Sequence, residues 1–125
     1  MKKLLIVEDH DVLRKAMTKW LRDTYPEIEF TQAETGEKAL ELAEKTDYYI
    51  AIVDILLPGI DGYEVTEKLV TKNKLINVIV LTMYDGKNYE DEAFGKGAGY
   101  FINKKDLYQL VPKAINEILN NSPES

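Results

Sequence analysis

Short apolar runs alternate along this chain with longer stretches of helical periodicity, the pattern of strand-helix units repeated around a parallel sheet. Leu4-Leu5-Ile6-Val7 predicts a first strand. The helix after it carries Val12, Leu13, Ala16, Met17, Trp20 and Leu21 on one face and stops at Pro26. Ile28 and Phe30, set among polar or charged neighbours, suit an edge strand, and Thr35 is placed to cap a helix that buries Ala39, Leu40 and Ala43. Ile50-Ala51-Ile52-Val53 predicts the third strand. Pro58-Gly59 turns the chain, and Asp61 caps a helix with Val65 and Leu69 inside. Val78-Ile79-Val80-Leu81 is apolar throughout, as a central strand covered by helices on both faces must be. A weaker helical stretch over 87–95 leads through Gly97-Ala98-Gly99 to a short fifth strand, Tyr100-Phe101-Ile102. The last helix starts at Asp106, which has capping-box spacing to Gln109. It buries Leu107, Leu110, Val111, Ala114, Ile115, Ile118 and Leu119, with a kink expected at Pro112.

Five such units predict an α/β fold, a five-stranded parallel sheet with helices on both faces, and if its order is 2-1-3-4-5, strands one and three are neighbours at the switch point. The 125 residues allow one domain, over residues 1–120, and residues 121–125 read as a polar tail or the start of a linker. Composition narrows the chemistry more than the fold. Without cysteine there are no disulfides, thiolate metal sites or thiol nucleophiles, which suits a reducing, cytoplasmic location. The apolar run after Lys3 is too short for a signal-peptide core or a membrane span. A net charge of -6 would repel nucleic-acid phosphates, so DNA binding would need a further domain.

Ligands of open parallel sheets bind beyond the carboxyl ends of the strands. There the chain places Glu8-Asp9 after strand one, Asp54 after strand three, Thr82 after strand four and Lys104 after strand five. Any one carboxylate at a strand end is ordinarily a cap or a solvated loop residue. Three of them in one crevice repel one another unless a cation lies between, and a hard, oxygen-seeking ion such as Mg²⁺ is the natural choice. Asp9 and Asp54 would bind it directly, with Glu8 acting through water. Asp54 could then attack phosphorus, while Lys104 and Thr82 hold phosphoryl oxygens.

Four motifs lie in order at matching spacing: Leu5-Ile6-Val7-Glu8-Asp9-His10, Val53 through Asp61-Gly62, Val80-Leu81-Thr82, and Gly97 through Lys104. With them the chain resembles the receiver domain of two-component response regulators, with a flavodoxin-like or CheY-like fold, from its first strand to its last helix. The resemblance implies that a sensor histidine kinase or a phosphotransfer protein donates phosphate from a phosphohistidine to Asp54. It also implies that the backbone carbonyl of Leu56 is a metal ligand, and that Thr82 and Phe101 relay phosphorylation to the face made by the fourth and fifth units. The same face could support a homodimer, and Tyr84, Tyr100 and Tyr108 could line it for a partner.

The chain departs from the family pattern in two respects. Lys105 stands where the family commonly has a proline after a cis bond, and a cis bond before a non-proline residue costs about 2.5 to 4 kcal/mol. Receivers that precede LuxR-type DNA-binding domains often lack this proline too, so the resemblance extends to a DNA-binding domain outside this chain. Leu56 and Tyr84 stand two residues after Asp54 and Thr82, where the family tunes hydrolysis, and together they predict a long-lived phosphoryl group. His10 is expected to be an exposed residue at the start of the first helix, not an acid-base catalyst. A flavodoxin-type module is disfavoured by the acidic residues after strand one. A haloacid-dehalogenase-like phosphatase would need an aspartate where Leu56 stands, and an interaction-only receiver relic would have lost part of the constellation that this chain keeps.

Overall fold

The computed structural model describes residues 2–121. Five parallel strands, β1 (Lys2–Val7), β2 (Ile28–Ala33), β3 (Ile50–Asp54), β4 (Asn77–Thr82) and β5 (Tyr100–Asn103), pair in the order β2-β1-β3-β4-β5. They alternate with α1 (Asp11–Thr24), α2 (Gly36–Lys45), α3 (Gly62–Lys72), α4 (Lys87–Gly95) and α5 (Leu107–Asn120). The predicted fold class and strand order are therefore the observed ones. β4 lies inside the sheet between β3 and β5, and the middle position belongs to β3.

Alternation along each strand divides the core in two. Leu5, Val7, Ala51, Val53, Val78 and Val80 pack against Ala39, Ala43, Val65, Leu69 and Ala93 of α2, α3 and α4. On the other face, Leu4, Ile6, Ile50, Ile52, Ile79 and Leu81 meet Met17 and Leu21 of α1 and Leu107, Val111, Ile115 and Ile118 of α5. Since both faces are covered, the inner strands are apolar at nearly every position. α4 buries only Ala93 and starts at Gly86 without a side-chain cap, which explains the weak periodicity of its sequence.

The capping predictions for α2 and α3 agree with the structure. Thr35 accepts the Lys38 N–H at 3.0 Å, and Asp61 accepts the Glu64 N–H at 2.9 Å. The capping box at Asp106 does not form: its side chain makes no cap hydrogen bond. The chain already turns helically at a 3₁₀ segment, Lys104–Asp106, and Asn103 caps that segment by accepting the Lys105 N–H at 3.0 Å. Leu110, at the end of the first turn of α5, is exposed rather than buried.

The inner face of α1 also differs from the prediction. Its buried stripe is Arg14, Met17, Thr18 and Leu21, while Val12 and Ala16 are exposed and Trp20 is half-buried. Two polar residues can be buried there because the backbone satisfies them: Arg14 Nη1 donates to the Glu8 carbonyl at 3.0 Å, and Thr18 Oγ1 donates to the Arg14 carbonyl at 2.7 Å. There is no cis peptide bond among the described residues, so the Lys104–Lys105 bond is trans. Pro112 lies inside α5. Of the predicted tail, residues 122–125 lie outside the described residues.

Candidate functional site

β3 ends in Asp54, deep between its neighbours, and β1 ends one residue before Glu8. The order of the strands thus places Glu8, Asp9 and Asp54 side by side beyond the carboxyl edge of the sheet, where one carboxylate oxygen from each lies within 4.8 Å of the others. Among the described residues, this is the group of side chains placed to hold a metal ion. Glu8 and Asp54 are buried and Asp9 is exposed.

Lys104 reaches in from beyond β5. Its ammonium donates to Asp54 Oδ2 at 3.0 Å and lies 2.8 Å from Glu8 Oε1. The second contact is an ion pair without hydrogen-bond alignment, so Glu8 Oε1 is a buried oxygen with no aligned donor among the described residues. Glu8 Oε2 accepts the His10 N–H at 3.1 Å, and the Leu56 N–H points to Asp54 Oδ1 at 3.4 Å. An unaligned buried oxygen beside two further carboxylates suits a small hard cation, so this acidic pocket is compatible with Mg²⁺.

Burial, followed by the adjacent Glu8 carboxylate, pushes Asp54 up to about 6, with Lys104 offsetting part of the rise. Burial would also raise Glu8, but the contact with Lys104 and the His10 N–H outweigh it and hold Glu8 below the usual carboxylate range. Lys104 is half-buried, which alone would lower it. The two carboxylates reverse that effect and raise it above the ordinary lysine value.

Thr82 ends β4, fully buried, with its Oγ1 accepting the Tyr84 N–H at 2.9 Å. Phe101 is half-buried in β5 and packs against the core on the side of α2, α3 and α4. Around the carboxylates opens a crevice of about 420 Å³, lined by His10, Leu13, Leu56 and Met83 together with the charged groups. Tyr84 does not line it. Its ring stacks on Tyr89 with centroids 5.2 Å apart. Tyr100 donates from its hydroxyl to Glu117 at 3.1 Å, and Tyr108 meets Trp20 edge to face, so these three tyrosines turn to three different helices. His10 is exposed and caps α1, its Nδ1 accepting the Leu13 N–H at 3.2 Å.

Two residues that shape the site were not singled out in the sequence. Arg14 clamps the loop after β1: besides the Glu8 carbonyl it bonds Gln32 Oε1 at 3.0 Å and pairs with Asp11 at 2.7 Å. Its spacing to Met17, Thr18 and Leu21 follows a helical stripe, a signal masked by its charge. Gly62 starts α3 against the end of β3, donating its N–H to the Ile55 carbonyl at 2.8 Å, and a Cβ there would run into the backbone of Asp54 and Ile55.

These features define a doubly wound α/β protein with an acidic, lysine-bridged crevice at the switch point of its sheet. The family model for the response regulator receiver domain matches residues 4–115, and the chain belongs to that family. It is a receiver domain of a two-component system, a family whose general function is a phosphorylation switch. The chain is 39% identical over 118 residues to a cyclic di-GMP phosphodiesterase of Thermotoga maritima, covering 94% of this chain and 31% of that protein. It is 30% identical over 116 residues to the response regulator GacA of Pseudomonas aeruginosa, covering 93% of this chain and 54% of that protein. The chain therefore spans about half, or less, of the length of these curated relatives. Among solved structures, the response regulator TrrA of Thermotoga maritima in complex with Mg²⁺-BeF superposes with a TM-score of 0.83 at 28% identity, over 94% of this chain and 99% of that one.

Proposed function

We propose that Asp54 accepts a phosphoryl group from the phosphohistidine of a sensor histidine kinase or phosphotransfer protein. One observation carries this reading: Lys104 bridges Asp54 and Glu8 beside Asp9, a cluster ready to exchange its internal charge pairing for a metal and a phosphoryl group. In the transfer, an Asp54 carboxylate oxygen forms a bond to phosphorus as the phosphorus–nitrogen bond breaks. The electron pair returns to the imidazole ring of the donor. Asp9 and Asp54, the Leu56 carbonyl and, through water, Glu8 would hold Mg²⁺, which neutralises charge on both the carboxylate and the incoming phosphoryl group. Lys104 would leave its pairing with Asp54 to pair a phosphoryl oxygen. Thr82 would give up the Tyr84 N–H and turn its hydroxyl inward to another.

Inward movement of Thr82 frees space that Phe101 can enter, since both side chains lie on neighbouring strands with Phe101 opposite Val80. The face made by β4, α4, β5 and α5 is the proposed output surface and the place for a homodimer. The chain performs its own phosphotransfer and a slow self-dephosphorylation, and catalyses no other reaction. Water reaching phosphorus would pass Leu56 and Met83, which line the crevice, and two apolar side chains there support a long-lived phosphoryl group. Among the described residues no helix is long and apolar enough to cross a membrane. An output domain beyond this chain that contacts DNA in the chain's place accords with its -6 charge and with the greater length of its relatives, and a cytoplasmic location accords with the absence of cysteine.

The test is to incubate the protein with Mg²⁺ and a small phosphodonor and weigh it. We expect one added phosphoryl group, mapped to Asp54 and absent in Asp54→Asn. Modification that persists in that variant, or none in the parent, overturns the assignment. Phosphoryl loss within seconds would overturn the lifetime.

A further inference from the structure

Asn103 stands directly opposite Thr82 on the last rung between β4 and β5, one residue before Lys104. Both ends of its side-chain amide are engaged. Its Nδ2 donates to Asp85 Oδ1 at 2.7 Å, across to the loop that follows Thr82, and its Oδ1 accepts the Lys105 N–H at 3.0 Å, closing the 3₁₀ turn that carries Lys104. Lys105 adds a second link to the same carboxylate, its ammonium lying 3.6 Å from Asp85 Oδ2. The last of these contacts is exposed and weak by itself. The amide bonds are specific, because the charged acceptor shortens one and the turn geometry fixes the other.

We propose that Asn103 is the positioning residue that ties the Thr82 loop to the Lys104 loop, so that the two phosphoryl-binding groups reposition around Asp54 as one unit. The proposal rests on the roles assigned above to Asp54, Thr82 and Lys104. Beyond the last rung no strand pairing joins β4 to β5, and the two loops would otherwise move separately. With lysine rather than proline at position 105 the turn lacks a proline's rigidity, and the amide supplies a fixed geometry in its place. Inward motion of Thr82 pulls on Asp85 and, through Asn103, on the turn that aims Lys104.

Amide hydrogen exchange on the unmodified chain tests the tie by its remote effects. The Tyr84 N–H donates to Thr82 and does not touch Asn103, while the Lys105 N–H donates to Asn103 and does not touch Asp85. We expect Asn103→Ala to speed exchange at Tyr84, and Asp85→Ala to speed it at Lys105, each by about tenfold. The double variant Asp85→Asn/Asn103→Asp reverses donor and acceptor and should restore both amides to within about threefold of the parent, whereas Asn103→Asp alone sets two carboxylates together. Changes confined to the loop that carries the substitution, or a double variant no better than Asn103→Asp alone, overturn the proposal. In parallel, with Mg²⁺ and a small acyl phosphate, the single variants should be phosphorylated about three- to tenfold more slowly and the double variant should recover. Unchanged rates in the single variants also overturn it. If the parent itself takes no phosphate, the Asp54 assignment fails, while the exchange measurement still decides the tie.

Discussion

Asp54 is held ionised at a cost. Its folded value of about 6 lies above the ordinary 3.8, so whatever stability it contributes is complete below pH 3.8 and is lost as pH rises through 6. Replacing it by asparagine removes a charge that burial and Glu8 both disfavour. In metal-free buffer at pH 7, Asp54→Asn should therefore stabilise the protein by about 1 to 3 kcal/mol. Chemical denaturation across pH checks this, and the gain should fade as pH falls from 6 toward 4. Glu8 works in the opposite direction, since its lowered value contributes stability that is lost on acidification. Gly62 shows a different constraint on the same strand end. Because a Cβ would meet the Asp54 and Ile55 backbone, which cannot move aside as a flexible side chain can, Gly62→Ala should cost about 2 to 4 kcal/mol and weaken Mg²⁺ binding by displacing Asp54. A thermal melt and a Mg²⁺ titration measure the two effects.

Among the elements, α1 illustrates how apolarity can mislead. Val12, Ala16 and Trp20 form a regular apolar stripe, yet the helix turns Arg14 and Thr18 inward because those two can satisfy backbone groups at the end of β1 and within the helix. Arg14 links β1, α1 and β2 through three polar contacts. Arg14→Met keeps the apolar stem but leaves the Glu8 carbonyl and Gln32 without their donor. We expect a loss of about 1 to 3 kcal/mol and roughly tenfold weaker Mg²⁺ binding, with Arg14→Lys recovering part of each. Equal Mg²⁺ affinity in Arg14→Met and the parent would show that the clamp supports only the fold. At α5 the sequence suggested a capping box, and the 3₁₀ turn supplanted it because Asn103 caps helical geometry three residues earlier. The same turn aims Lys104, so the entry to this helix belongs to the site as much as to the fold.

For the whole molecule, the cluster of like charges makes folding and metal binding linked quantities. A ligand that binds only the folded state stabilises it by about 2.7 kcal/mol at a hundred times its dissociation constant. Mg²⁺ should raise the melting temperature of the parent accordingly. It should do so much less in Asp9→Asn, and Mg²⁺ should reverse the advantage of Asp54→Asn over the parent. A parent protein indifferent to Mg²⁺ would contradict the proposed ligand set.

The sequence by itself determined the alternation of strands and helices, the caps at Thr35 and Asp61, and the placing of Glu8, Asp9, Asp54, Thr82 and Lys104 at strand ends. These are properties of periodicity and of position in a parallel sheet, and both are written locally. Tertiary structure decided which face of α1 is buried, that Tyr84 turns to Tyr89 and leaves the crevice to Met83, and that Asn103 joins two loops. Each depends on a partner that another element brings into place: a carbonyl just beyond β1, a ring on α4, a carboxylate beyond β4. Local pattern reports how apolar a residue is, but only the assembled fold determines which polar group stands opposite it.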